Sequence, residues 1–171
     1  MEEKDYKKLI KDNIEKIVIN AGIGKISLSQ PNFESKILPQ IKGDLSLITG
    51  SFPEERKARK SIAGFKLREG QIVGLKVTLR GDKMIDFFEK LVKIVLPRVR
   101  DFSGISKKKI DDRGALNFGF RDQYVFPEIN LEESVFTFSL GINIVPKEKN
   151  RKVAEDIYIK LGFPFSKGKN N

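Results

Sequence analysis

The sequence predicts an α+β fold, a single two-layer domain with a largely antiparallel sheet, helices packed on one face and an open face for binding. Residues 73–81 and 136–144 alternate apolar with polar residues, the period-two pattern of strands with one buried face. Residues 84–95 repeat apolar residues at helical spacing. Strand and helix patterns are mixed along 171 residues without a repeat or linker, which favours one domain over 1–171.

The first part of the chain is predicted from short patterns. Residues 5–16 place apolar residues among charges at helical spacing, which predicts a short helix. Residues 16–25 open with three β-branched residues and continue to two glycines, which predicts a strand ending in a bend. Residues 31–43 form a weak helical stretch interrupted by a proline. Residues 45–49 are then expected to form a short apolar strand.

The clearest strand lies over residues 73–81. Four apolar residues are predicted to face the core: Val73, Leu75, Val77 and Leu79. The residues between them form a basic, hydrogen-bonding face: Lys76, Thr78 and Arg80, with Gly74. Asp82 is predicted to cap the next helix, because its carboxylate can accept from the first free N–H groups. Pro97 is expected to end that helix.

The last part begins with a polar loop. Residues 101–114 hold a lysine run and two glycines, and with residues 51–72 they form two predicted projecting loops. Residues 136–144 are a second strand with an uncharged polar outer face. Residues 149–161 are a closing helix that Gly162 ends. Its predicted inward residues are Val153, Ala154, Ile157, Tyr158 and Leu161.

Composition narrows the function. Lys and Arg number 33 against 23 Asp and Glu, and the net charge of +10 implies an acidic partner such as nucleic acid. Cys and His are absent, which excludes thiol nucleophiles, imidazole bases and the usual zinc ligand sets. The charged N-terminus lacks the apolar core of a signal peptide, and no apolar run could cross a membrane. We expect a cytoplasmic protein without catalytic residues, metal, cofactor or membrane partner.

The densest basic stretch lies over residues 55–70. Cations neutralise phosphates and release counterions, and a backbone bared by Gly64 can approach RNA closely. Phe65 can either stack on a base or anchor the loop. A solvated charged loop is the alternative to RNA contact. The six cations are Arg56, Lys57, Arg59, Lys60, Lys66 and Arg68.

Five stretches together resemble the bacterial L5 family of large-subunit ribosomal proteins. These stretches are KARKSIAGFKLREG at 57–70, KVTLRG at 76–81, LPRVRDF at 96–102, YVFPEI at 124–129 and LGFPF at 161–165. They occur in the family's order and, with the first strand, span residues 16–165. Their combination is specific, whereas each stretch by itself is only suggestive.

The resemblance implies a structural role on the ribosome. The family binds 5S rRNA in the central protuberance, beside large-subunit rRNA and neighbouring ribosomal proteins. This implies a 5S rRNA surface of Asn20, Ser51, Lys76, Thr78 and Arg80. The family's basic loop reaches P-site tRNA, which implies contacts from Arg56, Lys57, Arg59, Lys60, Ser61, Gly64, Phe65, Lys66 and Arg68. A bridge to a small-subunit head protein is implied at Arg100, Asp101, Phe102, Ser103 and Gly104.

The chain departs from the family pattern at three places. Residues 1–15 form a shorter segment before the first strand than is usual in the family. Ser51 replaces a common glutamine, and its shorter side chain is expected to lose one RNA hydrogen bond. Ala21 stands where the family usually has a methionine, just before the first glycine of the first strand.

Two other functions compete with this interpretation. A general RNA chaperone would share the basic face but show no preference for 5S rRNA. An enzyme acting on a phosphorylated substrate would use the glycine loop at 22–25. That loop lacks the third glycine of the dinucleotide motif and the Gly-Lys-Ser/Thr ending of the P-loop. A strand end with a tight bend is therefore the better interpretation of residues 22–25.

Overall fold

A computed structural model describes residues 3–30, 32–100, 102–134 and 136–166. The strands are β1 (Ile14–Gly22), β2 (Glu54–Lys57), β3 (Ile72–Leu79), β4 (Leu116–Phe120) and β5 (Leu140–Pro146). They form one antiparallel sheet in the order β2–β3–β1–β5–β4. Helices complete a mixed α+β fold, which confirms the predicted fold class.

The helices are α1 (Glu3–Asn13), α2 (Gly24–Ser29), α3 (Leu38–Thr49), α4 (Gly81–Lys90), α5 (Leu96–Arg98) and α6 (Arg151–Lys160). A π-helical turn precedes α3 and another joins α4 to α5. Pro39 and Pro97 lie in the first turns of α3 and α5. Both helices continue directly from a π-helical turn, so the missing proline N–H falls where a regular i→i−4 hydrogen bond would otherwise form. Pro97 does not end its helix at the predicted place, because α5 continues to Arg98.

By its internal contacts the chain divides into two compact units. The first unit comprises Met1–Val18, Thr78–Phe118 and Ile142–Asn171, and the second comprises Ile19–Val77 and Gly119–Gly141. The single domain over 1–171, with its two projecting loops, stays a prediction.

The first unit is built around buried aromatic rings. The Phe163 ring lies 6.4 Å from Phe88 of α4, 5.6 Å from Phe118 of β4 and 6.2 Å from Tyr158 of α6, between centroids. The Tyr158 hydroxyl lies 2.9 Å from the carbonyl oxygen of Gly114, and burial raises the pKa of Tyr158. These contacts fix α4 and α6 against β4 within this unit.

In the second unit, α3 buries one apolar face. Ile41, Leu45 and Ile48 are buried and recur at intervals of four and three, so they form one helical stripe. The strand predicted over residues 45–49 is therefore wrong. An apolar run of five residues fits a buried strand or a buried helix equally well, and its neighbours decide between them.

Three other details differ from prediction. Asp82 lies inside the first turn of α4, whereas Arg80 occupies the N-cap position without a side-chain cap bond. Val153 of α6 is 43% exposed, so it does not face inward. β2 and β4 were not predicted as strands, because β2 is entirely charged and β4 has only five residues.

The strand predicted over residues 136–144 begins only at Leu140. Before it, the buried side chain of Gln123 takes the place of a neighbouring strand. Its Nε2 donates to the carbonyl of Phe136 at 2.8 Å, and its Oε1 accepts from the N–H of Phe138 at 3.0 Å. The alternation of apolar and polar residues is therefore present from residue 136. The first residues of the predicted strand, however, bond to the Gln123 side chain instead of to a neighbouring strand.

Candidate nucleic-acid interface

β3 carries the polar face that its sequence predicts. Leu75, Val77 and Leu79 are buried, whereas Thr78 is exposed. Lys76, between Leu75 and Val77, is partly exposed and lies opposite Glu54 in the register with β2. Because successive side chains of a strand point to opposite faces, the polar set faces away from the core.

In the second unit, Asn20 is exposed on β1 beside Gly141 of β5. A Cβ built on Gly141 would lie 3.8 Å from the Asn20 carbonyl oxygen. A Cβ built on Gly74 of β3 would lie 3.2 Å from the carbonyl oxygen of Ala21. At these two glycines the backbones of neighbouring strands therefore approach closely.

Ser51 follows the left-handed Gly50 that ends α3. The Thr49 hydroxyl lies 3.0 Å from the Ser51 carbonyl oxygen, and the Ser51 N–H lies 3.3 Å from the Thr49 hydroxyl oxygen. The backbone of Ser51 is thus fixed by Thr49, and its side chain is partly exposed.

In the first unit, Arg80 directly follows β3 and is exposed. Its guanidinium lies 3.5 Å from the Glu15 carboxylate, and Lys16 lies 3.3 Å from the same oxygen. Hydrogen bonding from Lys16, with Arg80 as a weaker contributor, lowers the pKa of Glu15. Glu15 therefore bridges Lys16 and Arg80. Its contact with Arg80 was not predicted, because the two residues are far apart in the chain.

A pair of amides was also missed. The Asn143 side chain of β5 donates to the Asn117 side chain of β4 at 2.5 Å. Asn143 lies on the polar outer face predicted for that strand, whereas Asn117 belongs to a strand that was not predicted. Both amides keep hydrogen-bonding groups on a partly exposed surface.

The basic segment forms a hydrogen-bonded hairpin, defined here as residues 58–71. The Ala58 N–H donates to the backbone carbonyl of Gln71 at 2.8 Å, and the Gly70 N–H donates to the backbone carbonyl of Ala58 at 2.9 Å. Nearer the tip, Ile62 and Leu67 exchange bonds of 2.9 and 3.1 Å. These bonds give the segment a fixed backbone.

The tip of this hairpin presents Phe65, which is 72% exposed. Such exposure does not support an anchoring role for the ring, and stacking on a base stays a prediction. Lys66 next to it adopts a left-handed φ of 52°. All nine predicted tRNA-contact residues are exposed or partly exposed: Arg56, Lys57, Arg59, Lys60, Ser61, Gly64, Phe65, Lys66 and Arg68.

The predicted bridge segment lies in the first unit. Arg100 and Ser103 are exposed and Phe102 is partly exposed, whereas Asp101 lies outside the described residues. Gly104 has φ +92°, and a Cβ there would collide with the backbone of Ser166. Gly104 therefore allows close backbone packing against Ser166, and its part in a bridge contact stays a prediction.

Among the described residues, no group of three Asp or Glu side chains could hold a metal ion. The Asp111 carboxylate instead accepts from the N–H groups of Arg113 at 2.9 Å and Ala115 at 2.8 Å, closing a turn. No helix in the described part of the chain is long and apolar enough to cross a membrane. The fold and this surface define a class: an α+β protein with a polar sheet face and a basic hairpin suited to a polyanion.

Comparison with known proteins identifies the family. Residues 13–68 match the family model for ribosomal protein L5, and residues 72–165 match the model for the C-terminus of the same ribosomal family. The large ribosomal subunit protein uL5 of Acholeplasma laidlawii (strain PG-8A) is 46% identical over 154 residues, covering 90% of this chain and 83% of the relative. That of Sulfurovum sp. (strain NBC37-1) is 44% identical over 157 residues, covering 92% and 84%. The chain belongs to the ribosomal protein L5 family.

Membership settles the coarse function. The chain is a large-subunit ribosomal protein of the bacterial type, with a place in the cytoplasmic ribosome among rRNA and ribosomal proteins. It is a structural component and not an enzyme, because its homologues are structural components. The phosphorylated-substrate enzyme is thereby excluded.

Proposed function

We propose that the protein binds 5S rRNA in the central protuberance through the 5S surface, defined here as Asn20, Ser51, Lys76, Thr78 and Arg80. The observation that carries this is the alternation of β3, which buries its leucines and valine and turns Thr78 outward. A stiff strand presents its side chains with little loss of conformational entropy on binding. Phosphate contacts then set the register, and polar groups read the shape of the RNA.

The hairpin is proposed to contact P-site tRNA. Its hydrogen-bonded backbone supports this, because a preformed arm loses less conformational entropy on binding than a disordered one. The segment from Arg100 to Gly104 is proposed to contact a small-subunit head protein. This is supported by the exposure of Arg100 and Ser103.

Substitution of Arg80 by Ala tests the 5S surface. We expect Arg80→Ala to weaken 5S rRNA binding by about 1–3 kcal/mol in a gel-shift titration, through loss of a charged hydrogen bond. Arg151→Ala is the matched control, because it removes an exposed arginine of α6 outside the proposed surface. Equal affinity of the folded Arg80→Ala variant and the wild type would remove Arg80 from the site.

A further inference from the structure

Phe52 is an exposed aromatic residue outside every contact proposed above. It is 76% exposed and stands between Ser51 and the buried Pro53, just before β2. A phenyl ring buries a large apolar area when a partner covers it. Covering the exposed Phe52 ring would therefore contribute favourable free energy to binding. Isolated exposed apolar residues are common, and therefore the surroundings of Phe52 decide its meaning.

A cation lies over the Phe52 ring. The ammonium of Lys42 on α3 is 5.7 Å from the ring centroid, which is within cation–π range. The same ammonium lies 2.6 Å from the Glu55 carboxylate, and that hydrogen bond lowers the pKa of Glu55. Lys42 is thus fixed at the ring by a second partner, and the exposure of Phe52 leaves ring surface for a partner on the solvent side.

The surroundings of the ring favour RNA over protein. Residues 51–70 carry six Lys and Arg against three Glu, and Lys42 adds another cation. Lysine, the residue type that contacts the Phe52 ring, is depleted in protein–protein interfaces. Basic surfaces with exposed aromatic rings are typical of contacts with unpaired bases, where the cations meet phosphates and the ring stacks.

We propose that Phe52 stacks on an unpaired base of the bound ribosomal RNA, next to the contact proposed for Ser51. This rests on the proposed binding of 5S rRNA and adds a specific contact to it. The base covers the open face of the ring. Lys42, on the other side, strengthens the arrangement through its positive charge.

The chain contains no Trp, which makes the test direct. Phe52→Trp places one fluorophore at the site, and we expect 5S rRNA to quench its emission while affinity is kept. Leu47→Trp is the matched control, because Leu47 is 62% exposed on α3 outside the proposed contact. Its emission should change little.

Affinity supplies the second measurement. Stacking is worth about 1–3 kcal/mol per base, so Phe52→Ala should weaken 5S rRNA binding about fivefold to 150-fold. Leu47→Ala should leave it within about twofold. Circular dichroism checks that both variants fold.

The outcomes separate the two proposals. If the wild type does not bind 5S rRNA, the proposed function itself fails. If the wild type binds and Arg80→Ala weakens binding, but Phe52→Ala does not and the emission of the Phe52→Trp variant is unchanged, only the stacking proposal is overturned. Loss of a ribosomal-protein contact in Phe52→Ala, with 5S affinity intact, would likewise overturn it in favour of a protein partner.

Discussion

Asp44 is the buried ionisable carboxylate of the second unit's described residues, at 9% exposure. Its Oδ2 accepts from the Ser134 hydroxyl at 2.6 Å, and Ser134 accepts in turn from Gln123 at 2.9 Å. Burial raises the pKa of Asp44 more than the hydrogen bond from Ser134 lowers it. The charged form of this one residue therefore lowers the stability of the folded state, because its carboxylate is removed from water.

The raised pKa gives a stability prediction. Folding favours the protonated form, so the stability that Asp44 contributes is complete below its unfolded pKa and is lost as pH rises through its folded pKa. Asp44→Asn is neutral and nearly isosteric. We expect it to raise the Tm at pH 7 by about 2–4 °C, corresponding to about 1 kcal/mol, and to give little gain near pH 3.

Thermal unfolding at both pH values checks this expectation. Asp12→Asn is the control, since Asp12 is exposed on α1. A lower Tm for Asp44→Asn at pH 7 would show that the carboxylate stabilises the fold through its hydrogen bond with Ser134.

At the scale of elements, the segment between β4 and β5 depends on one side chain. Gln123 bonds to Phe136, Phe138 and Ser134, and it is fully buried. Tyr124 adds a bond of 2.9 Å from its hydroxyl to the Ser134 carbonyl. The described residues of this segment are therefore held by specific hydrogen bonds although they contain little regular structure.

Removing that side chain should be costly. We expect Gln123→Ala to lower the free energy of unfolding by about 2–4 kcal/mol, because the buried N–H of Phe138 loses its partner and a cavity forms. Urea unfolding measures the change. Gln71→Ala is the matched control and should cost less than about 1 kcal/mol, because its bond to Ser27 is long, 3.3 Å, and only partly buried. A Gln123→Ala variant as stable as Gln71→Ala would contradict this role of Gln123.

At the scale of the whole molecule, the net charge of +10 attracts any RNA. That attraction depends on counterion release and weakens steeply with salt. In our proposal the 5S surface adds contacts that depend on RNA shape, and we expect these to be less sensitive to salt. Charge by itself therefore cannot distinguish a specific 5S protein from a general RNA chaperone.

Salt should make that distinction. Between about 50 and 200 mM salt, we expect affinity for bulk RNA to fall more steeply than affinity for 5S rRNA, so their ratio rises. Filter binding with each RNA across this salt range measures both slopes. Parallel slopes with equal affinities would favour the chaperone.

Much of the fold and of the candidate site follows from local sequence. The alternation in β3 predicts that Thr78 and Arg80 face outward, because a strand repeats every two residues whatever packs on it. The helical spacing before Pro97 predicts α4, and the basic stretch predicts an exposed charged segment. The family resemblance, carried by short motifs in order, is confirmed by the family models.

Tertiary structure decided the features that depend on a distant partner. Residues 45–49 are apolar enough for a strand, but they form part of α3 because its stripe is buried. The charged β2 is a strand because β3 pairs with it, Gln123 substitutes for a strand beside Phe138, and Glu15 reaches Arg80 across 65 positions of sequence. The sequence by itself determined which residues of a strand or helix share a face, because the strand and helix periods depend only on neighbouring residues. Only the folded chain decided what meets each face, since those contacts join residues far apart in sequence.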